Sequence, residues 1–420
     1  MIRPERVTLA DGARIVYASS PANPFVAFLG SLPIGVSAEP PRQQGIAELV
    51  ARSLLGGAAK QSGAQLARAI EGLGATLQFH NDAESLFLGG RCTRATAPRV
   101  FRVLRAVIER PSFPEREIEK ARAEIANDIR AESDDTRVRA TRSLLSGLYP
   151  RGHPYGRDPK GTEASIRRLT RRNLATFHRS RFTTTGMVVA LAGDVDPPFV
   201  EGTIAPILES IELDGGPAKP VAAAGDPVQE THTIPMPHKS QVDLAIGRPA
   251  IARSDLQFDA LALANLLFGR IGLFGRLGES VRGEKGLAYY SFSHLVARRA
   301  GGHVQIAIGV NPTNVEKALD ATRREMERLR TDPFTEEELE RGRRNQIGGL
   351  AVTLEQNAEV VEELHGMEFH DLGLDYLERY PRIVRGLSAA NVRDAASKYF
   401  AADGMGVVAA GPIVDRAIRL

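Results

Sequence analysis

The chain has 420 residues, 54 basic against 51 acidic, one cysteine, no tryptophan and 43% hydrophobic residues. That length suits roughly two or three domains with sizeable cores, and the near-average composition excludes a collagenous, disulfide-stapled or wholly disordered protein. Charges of both signs are interleaved, and the densest basic clusters, Arg167-Arg168 with Arg171-Arg172 and Arg341 with Arg343-Arg344, lie in helix-like text. They read as solvated faces, so no nucleic-acid partner is expected.

In chain order, Met1 to Arg6 runs directly into strand-like text without an apolar leader. No stretch nears the roughly 18 apolar residues of a membrane span. A cytoplasmic location without a membrane partner is therefore expected, or a periplasmic one if a leader has been removed. Apolar spacing predicts strands over 7–9, 14–18 and 25–31, then helices over 45–55, 98–109 and 115–132. Cys92 stands alone, so no intrachain disulfide can form, and it reads as a small buried hydrophobe. His153-Pro154-Tyr155-Gly156 reads as a turn before a helix capped near Thr162.

The stretch from Asp214 to Pro227, rich in Gly, Pro and Ala, reads as a linker and divides the chain into domains at 1–213 and 228–420. The second domain repeats the mixture, with strands expected over 242–247, 286–293 and 303–310 and helices over 256–268, 314–329 and 336–350. The two halves also match in letters. Asn173, Phe182, Gly186 and Gly193 recur as Asn391, Phe400, Gly404 and Gly411, each 218 residues later (391 − 173 = 218). A second echo sets Phe113-Pro114-Glu115 against Phe334-Thr335-Glu336, offset by 334 − 113 = 221. Such an offset is too long for a solenoid repeat and indicates a duplicated domain. The expected fold is α+β: two homologous domains, each a mainly antiparallel sheet packed with helices, facing each other across a cleft.

Several motifs point to chemistry. His365-Gly-Met-Glu368-Phe-His370 is an H-x-x-E-x-H, but its histidines lie about 140° apart on a helix, unsuited to one metal. Gly272, Gly275 and Gly278 lack dinucleotide-fingerprint spacing. His80, His178 and His303 are scattered, and only Glu48 and Glu284 are expected near the cleft. No paired-carboxylate or Gly-x-Ser-x-Gly pattern supports a hydrolase of another mechanism.

Two stretches, with His153 to Gly156 and Ala192-Gly193-Asp194-Val195-Asp196 beside them, resemble a known family. They are Pro33 to Gly57, containing Gly45-Ile-Ala-Glu48-Leu-Val-Ala51-Arg52, and Leu273 to Tyr289, containing Arg282-Gly-Glu-Lys-Gly286-Leu-Ala-Tyr289. Together they resemble the insulinase/pitrilysin (inverzincin) zinc peptidases, especially the short bacterial two-domain members and the mitochondrial processing peptidase subunits. The family's zinc motif is H-x-x-E-H on a helix. The resemblance places Glu48 at the first His, Ala51 at the catalytic Glu and Arg52 at the second His, and the third ligand near Asn127 or Asp128. None of the first three matches, so the resemblance implies no zinc ligand, no catalytic base and no cofactor bound by this chain.

The same resemblance keeps one motif. In zinc-less partner subunits of the bacterial heterodimers, an Arg and a Tyr seven residues later face the partner's zinc, and Arg282 and Tyr289 have that spacing (289 − 282 = 7). A guanidinium fork and a phenol suit hydrogen bonding to a substrate carbonyl oxygen. Read without the family, Arg282 is a surface cation and Tyr289 a strand core residue, with Tyr290 on the opposite face. The implied function is the zinc-less subunit of a heterodimeric zinc metallopeptidase that cleaves unfolded peptides in a closed chamber. Its partner is a homologous zinc-bearing subunit, and the isolated chain could pair with itself. Two alternatives differ in class: a non-proteolytic structural or assembly subunit of a larger complex, and an independent enzyme using His365 with Glu368, or Asp128 with Glu48, as a metal set.

Overall fold

The computed structural model describes residues 2–20, 24–223, 231–273, 275–284, 286–414, 418 and 420. Its first sheet contains β1 (Glu5–Thr8), β2 (Arg14–Ser19) and β3 (Phe25–Leu32). A separate two-stranded ribbon follows, β4 (Gly57–Ala58) with β5 (Gln61–Ser62). The sheet is completed by β6 (Thr76–Asn81), β7 (Leu86–Thr93) and β8 (Val188–Gly193), in the order β1-β2-β8-β3-β7-β6. Every neighbouring pair is antiparallel except β2 with β8. The second sheet holds β9 (Thr231–Pro235), β10 (Val242–Ala250), β11 (Ala288–Arg298), β12 (Gly301–Val310) and β13 (Gly406–Gly411), in the order β11-β12-β10-β13-β9. Its single parallel pair is β9 with β13.

Without β1, the two orders coincide: β2-β8-β3-β7-β6 matches β9-β13-β10-β12-β11, with the parallel pair in the same place. The duplication holds residue by residue. The helices Arg171–Arg181 and Ala389–Tyr399 differ by 218 at both ends. Each opens on a capping box, Thr170 with Asn173 and Ser388 with Asn391, which satisfies otherwise orphaned backbone N–H groups. Each is followed by a buried Phe (182 or 400) and by a glycine with positive φ, Gly186 at +82° and Gly404 at +87°, that turns the chain into the strand. β8 and β13 are buried at all six positions, as central strands covered on both faces must be.

Two α+β units result, each with its own core. In the first, the helix Ala97–Glu109 turns Val100, Phe101, Leu104, Val107 and Ile108 inward at helical spacing. In the second, the helix Phe258–Gly269 is buried almost all round, and its Phe268 packs on Phe400 with ring centroids 4.8 Å apart.

The units are not contiguous in sequence. The first comprises Met1–Ile129, Asp158–Val221 and Ala351–Glu378, and the second Arg130–Arg157, Ala222–Leu350 and Arg379–Leu420. The strands of the first sheet all lie within 1–213 and those of the second within 228–420, while one helix from each of these halves packs on the sheet of the other. The helix Thr136–Leu148 packs on β10 and β13, and the helix Asn357–Phe369 packs on β3 and β8. These helices are 221 residues apart at both ends (357 − 136 and 369 − 148) and meet equivalent strands, so the duplication includes a reciprocal exchange. Local periodicity says which face of a helix is apolar and not which of two equivalent sheets it covers. Of the expected linker, residues 224–227 lie outside the described residues.

Candidate functional site

In the first unit, the helix Ile46–Ser53 buries Ile46, Ala47, Leu49, Val50 and Ala51, leaving Glu48 and Arg52 one turn apart on its other face. Its start is fixed by the buried Glu39 carboxylate, which accepts from the N–H groups of Gly45 (3.0 Å) and Ala47 (3.2 Å). The Arg52 guanidinium donates to Glu48 through Nε at 2.6 Å and to Asp128, on the helix Glu115–Ser133, at 2.7 Å. Burial opposes the Arg52 charge, but the hydrogen bonds to Asp128 and Glu48 outweigh it and hold the guanidinium above its ordinary pKa. Glu48, Arg52 and Asp128 thus meet as two carboxylates around a fixed organic cation.

In the second unit, Arg282 lies on the short π-helical segment Glu279–Glu284, which Val281 and Leu277 tether to the core. The segment closes with Gly286, at φ +58°, donating to the Arg282 carbonyl at 3.1 Å, while Leu287 donates to the Val281 carbonyl at 3.0 Å. β11 follows at once. Opposite its start, Ala288 pairs with Val310 and Tyr290 with Gly309, so Tyr289 is the extra residue of a β-bulge. It is 59% exposed, and is therefore not the strand core residue that the sequence alone allows.

Arg282 also lines a cavity of about 610 Å³ with Gly272, Leu273, Glu279 and Arg341. Arg276 holds this glycine-rich segment against the helix Glu336–Thr353. It donates to both Glu338 carboxylate oxygens (2.7 and 2.6 Å) and to the Asp332 carbonyl (2.8 Å), over the Phe334 ring. The Glu284 side chain lies outside what is described.

The remaining sequence candidates are engaged elsewhere. His365 Nε2 meets Ser31 Oγ at 2.8 Å in the first core, and burial pulls its pKa down to about 3. Glu368 accepts from Arg6 (2.7 Å) and pairs with Arg14 (2.9 Å). His303 meets the Tyr149 hydroxyl at 3.0 Å and is likewise held neutral by burial, His178 meets the Ile108 carbonyl at 2.7 Å, and His80 stacks on Phe87. Burial pushes the Cys92 thiol up to about 12, which removes it as a nucleophile. Among the described residues no group of three or more His, Cys, Asp or Glu side chains could hold a metal ion, and no helix is long and apolar enough to cross a membrane.

Two family models match the chain: insulinase (peptidase family M16) over residues 14–158, and peptidase M16 inactive domain over residues 168–346. The chain belongs to the M16 peptidase family. The M16 relatives include an uncharacterised zinc protease of Streptomyces coelicolor, 23% identical over 86% of this chain and 79% of its own length. The mitochondrial-processing peptidase subunit alpha of Solanum tuberosum is 24% identical over 52% of this chain and 43% of its own length. Among solved structures, an M16 inactive-domain protein from Pseudomonas fluorescens superposes with a TM-score of 0.91 at 25% identity over 98% of both chains. A protease from Helicobacter pylori shares the fold, with a TM-score of 0.86 at 17% identity over 98% of this chain and 100% of its own.

Against the M16 zinc chemistry, the residues present do not fit the metal. Ala51 offers no base, Glu48 and Asp128 are both turned to Arg52, and a guanidinium repels Zn²⁺. Beside Tyr289, the Tyr290 hydroxyl donates to Asp243, which also accepts from the Thr136 hydroxyl, and these three residues meet only through the exchanged helix and cross-strand register, which no sequence motif announces. The one available signal was the Tyr289-Tyr290 doublet after the glycine-rich loop.

Proposed function

We propose that this chain is the zinc-less subunit of a two-subunit M16 metallopeptidase. A homologous partner carrying an intact H-x-x-E-H supplies the metal and the base, and this chain supplies Arg282 and Tyr289 to the peptide. The observation that carries the reading is the asymmetry between its two candidate sites. The metal positions are closed by the Glu48–Arg52–Asp128 ion pairs, while Arg282 lines an open cavity and Tyr289 projects from a bulge. A guanidinium and a phenol are both hydrogen-bond donors. They suit a substrate carbonyl oxygen, where they would hold the negative charge that grows as the carbonyl carbon becomes tetrahedral. Unfolded peptides fit this role because an extended segment can pair with an exposed sheet edge, and β6 and β11 are edge strands.

The test is a double substitution, Arg282→Ala with Tyr289→Phe, in the presence of the zinc-bearing partner. The two chains should still associate, and cleavage of an unfolded peptide should fall by about 100-fold or more, as for loss of transition-state donors. Unchanged cleavage would remove both residues from substrate handling and favour the assembly-subunit reading.

A further inference from the structure

Beside Tyr289, the second sheet carries a phenol–carboxylate row that its duplicate lacks. Tyr290 pairs with Gly309, and Gly309 pairs with Asp243, so the three residues lie abreast on β11, β12 and β10. The Tyr290 ring lies across Gly309, where an added Cβ would come within 2.4 Å of a ring carbon, and its hydroxyl donates to the Asp243 carboxylate two strands away. Asp243 is 1% exposed, and it also accepts from the Thr136 hydroxyl at the start of the exchanged helix and from the Gln241 amide at 3.0 Å. Arg137 stands 5.9 Å from the Tyr290 ring centre. Burial and the Asp243 carboxylate both raise the Tyr290 pKa, so the phenol keeps its proton.

The duplicated half provides an internal control. By register, the equivalent row in the first sheet is Thr76, Arg91 and Ala27 on β6, β7 and β3. It has no acid, no phenol and no glycine, and the space beside it is an open groove of about 760 Å³ reaching Asn357, the equivalent of Thr136. The fold therefore does not need the Tyr–Gly–Asp row. What distinguishes the second sheet is that its edge strand carries Tyr289 on a bulge. Edge strands are laddered on one side only, and a bulge breaks that ladder locally, so such an end frays unless something else holds it.

We infer that Tyr290, Gly309 and Asp243 form a pin that fixes the bulge of β11 and thereby aims Tyr289, which makes Tyr290 and Asp243 positioning residues for the peptide. The inference rests on the reading of Tyr289 as a substrate donor. Its pin part is independent of that reading, and the test separates the two.

In the full-length chain, Tyr290→Phe removes the hydroxyl and keeps the ring, while Gly309→Ala displaces the ring. Amide hydrogen exchange over residues 287–291 should quicken by about tenfold or more in either variant, with β10 and β13 retaining wild-type protection. With the zinc-bearing partner present, kcat/KM should fall while complex formation is kept. Wild-type exchange over 287–291 in Tyr290→Phe, or equal loosening of every strand, would overturn the pin whatever the peptidase data show. Faster local exchange with wild-type cleavage, in a chain where Tyr289→Phe also cleaves normally, would instead overturn the positioning role together with the substrate role of Tyr289.

Discussion

Arg52 is a cation that no chelator can remove. Its bonds to Glu48 and Asp128 join two helices of the first unit, with side-chain exposures of 26%, 12% and 44%. Partly exposed pairs of this kind are screened, so Arg52→Met should cost only about 1 kcal/mol in denaturant unfolding. An unchanged midpoint would show that the ion pairs are incidental. The two buried histidines make a larger claim. Burial depresses His365 and His303 to about 3, against 6.5 for the ordinary side chain. Between those values the unfolded chain binds the extra protons, so stability rises with pH there, is fully present above about 6.5 and is lost as pH falls towards 3. Each histidine contributes at most about 1.4 kcal/mol per pH unit. His365→Asn should flatten this acid limb by one proton in equilibrium unfolding measured from pH 4 to 7. A limb of wild-type slope would mean that His365 is not held neutral.

Among elements, the clearest legibility came from chemistry confined to a few neighbouring residues. Thr170 with Asn173 and Ser388 with Asn391 announce helix starts, and both are realised as capping boxes. Removing either hydroxyl by substitution to Ala should cost about 1 kcal/mol, equally at both positions, in thermal or denaturant unfolding. A cost at one position only would mean that the duplicated helices no longer share their energetics. The strands of the first sheet were read less well. β7 is hard to read because Gly89 and Gly90 interrupt its apolar alternation and its partner β3 is far away in sequence, and β6 is held in the sheet through β7 alone. The candidate site divides in the same way. Arg282 and Tyr289 were found through a motif, whereas the bulge that exposes Tyr289 and the Asp243 that braces its neighbour exist only in cross-strand register.

On the scale of the whole molecule, the exchange of equivalent helices makes each unit depend on the other half of the chain. A fragment of residues 1–213 lacks the helix Asn357–Phe369 and leaves an apolar face of β3 and β8 bare. It should fail to give a cooperative melt alone and should recover one when residues 228–420 are supplied in trans. A stable, cooperative 1–213 fragment would show that the exchanged helix is dispensable. The sequence alone does not reveal the exchange, because duplication gives each helix two chemically similar sheets and tertiary packing chooses between them.

The proposed function is tested most directly by zinc content and peptide cleavage for this chain alone and then mixed with an H-x-x-E-H-bearing homologue. The account predicts a chain free of stoichiometric zinc, silent on unfolded peptides by itself, and a mixture whose activity exceeds that of the homologue alone. Stoichiometric zinc or cleavage by the isolated chain would contradict it, because Glu48, Ala51 and Arg52 leave neither a metal site nor a base to account for either result.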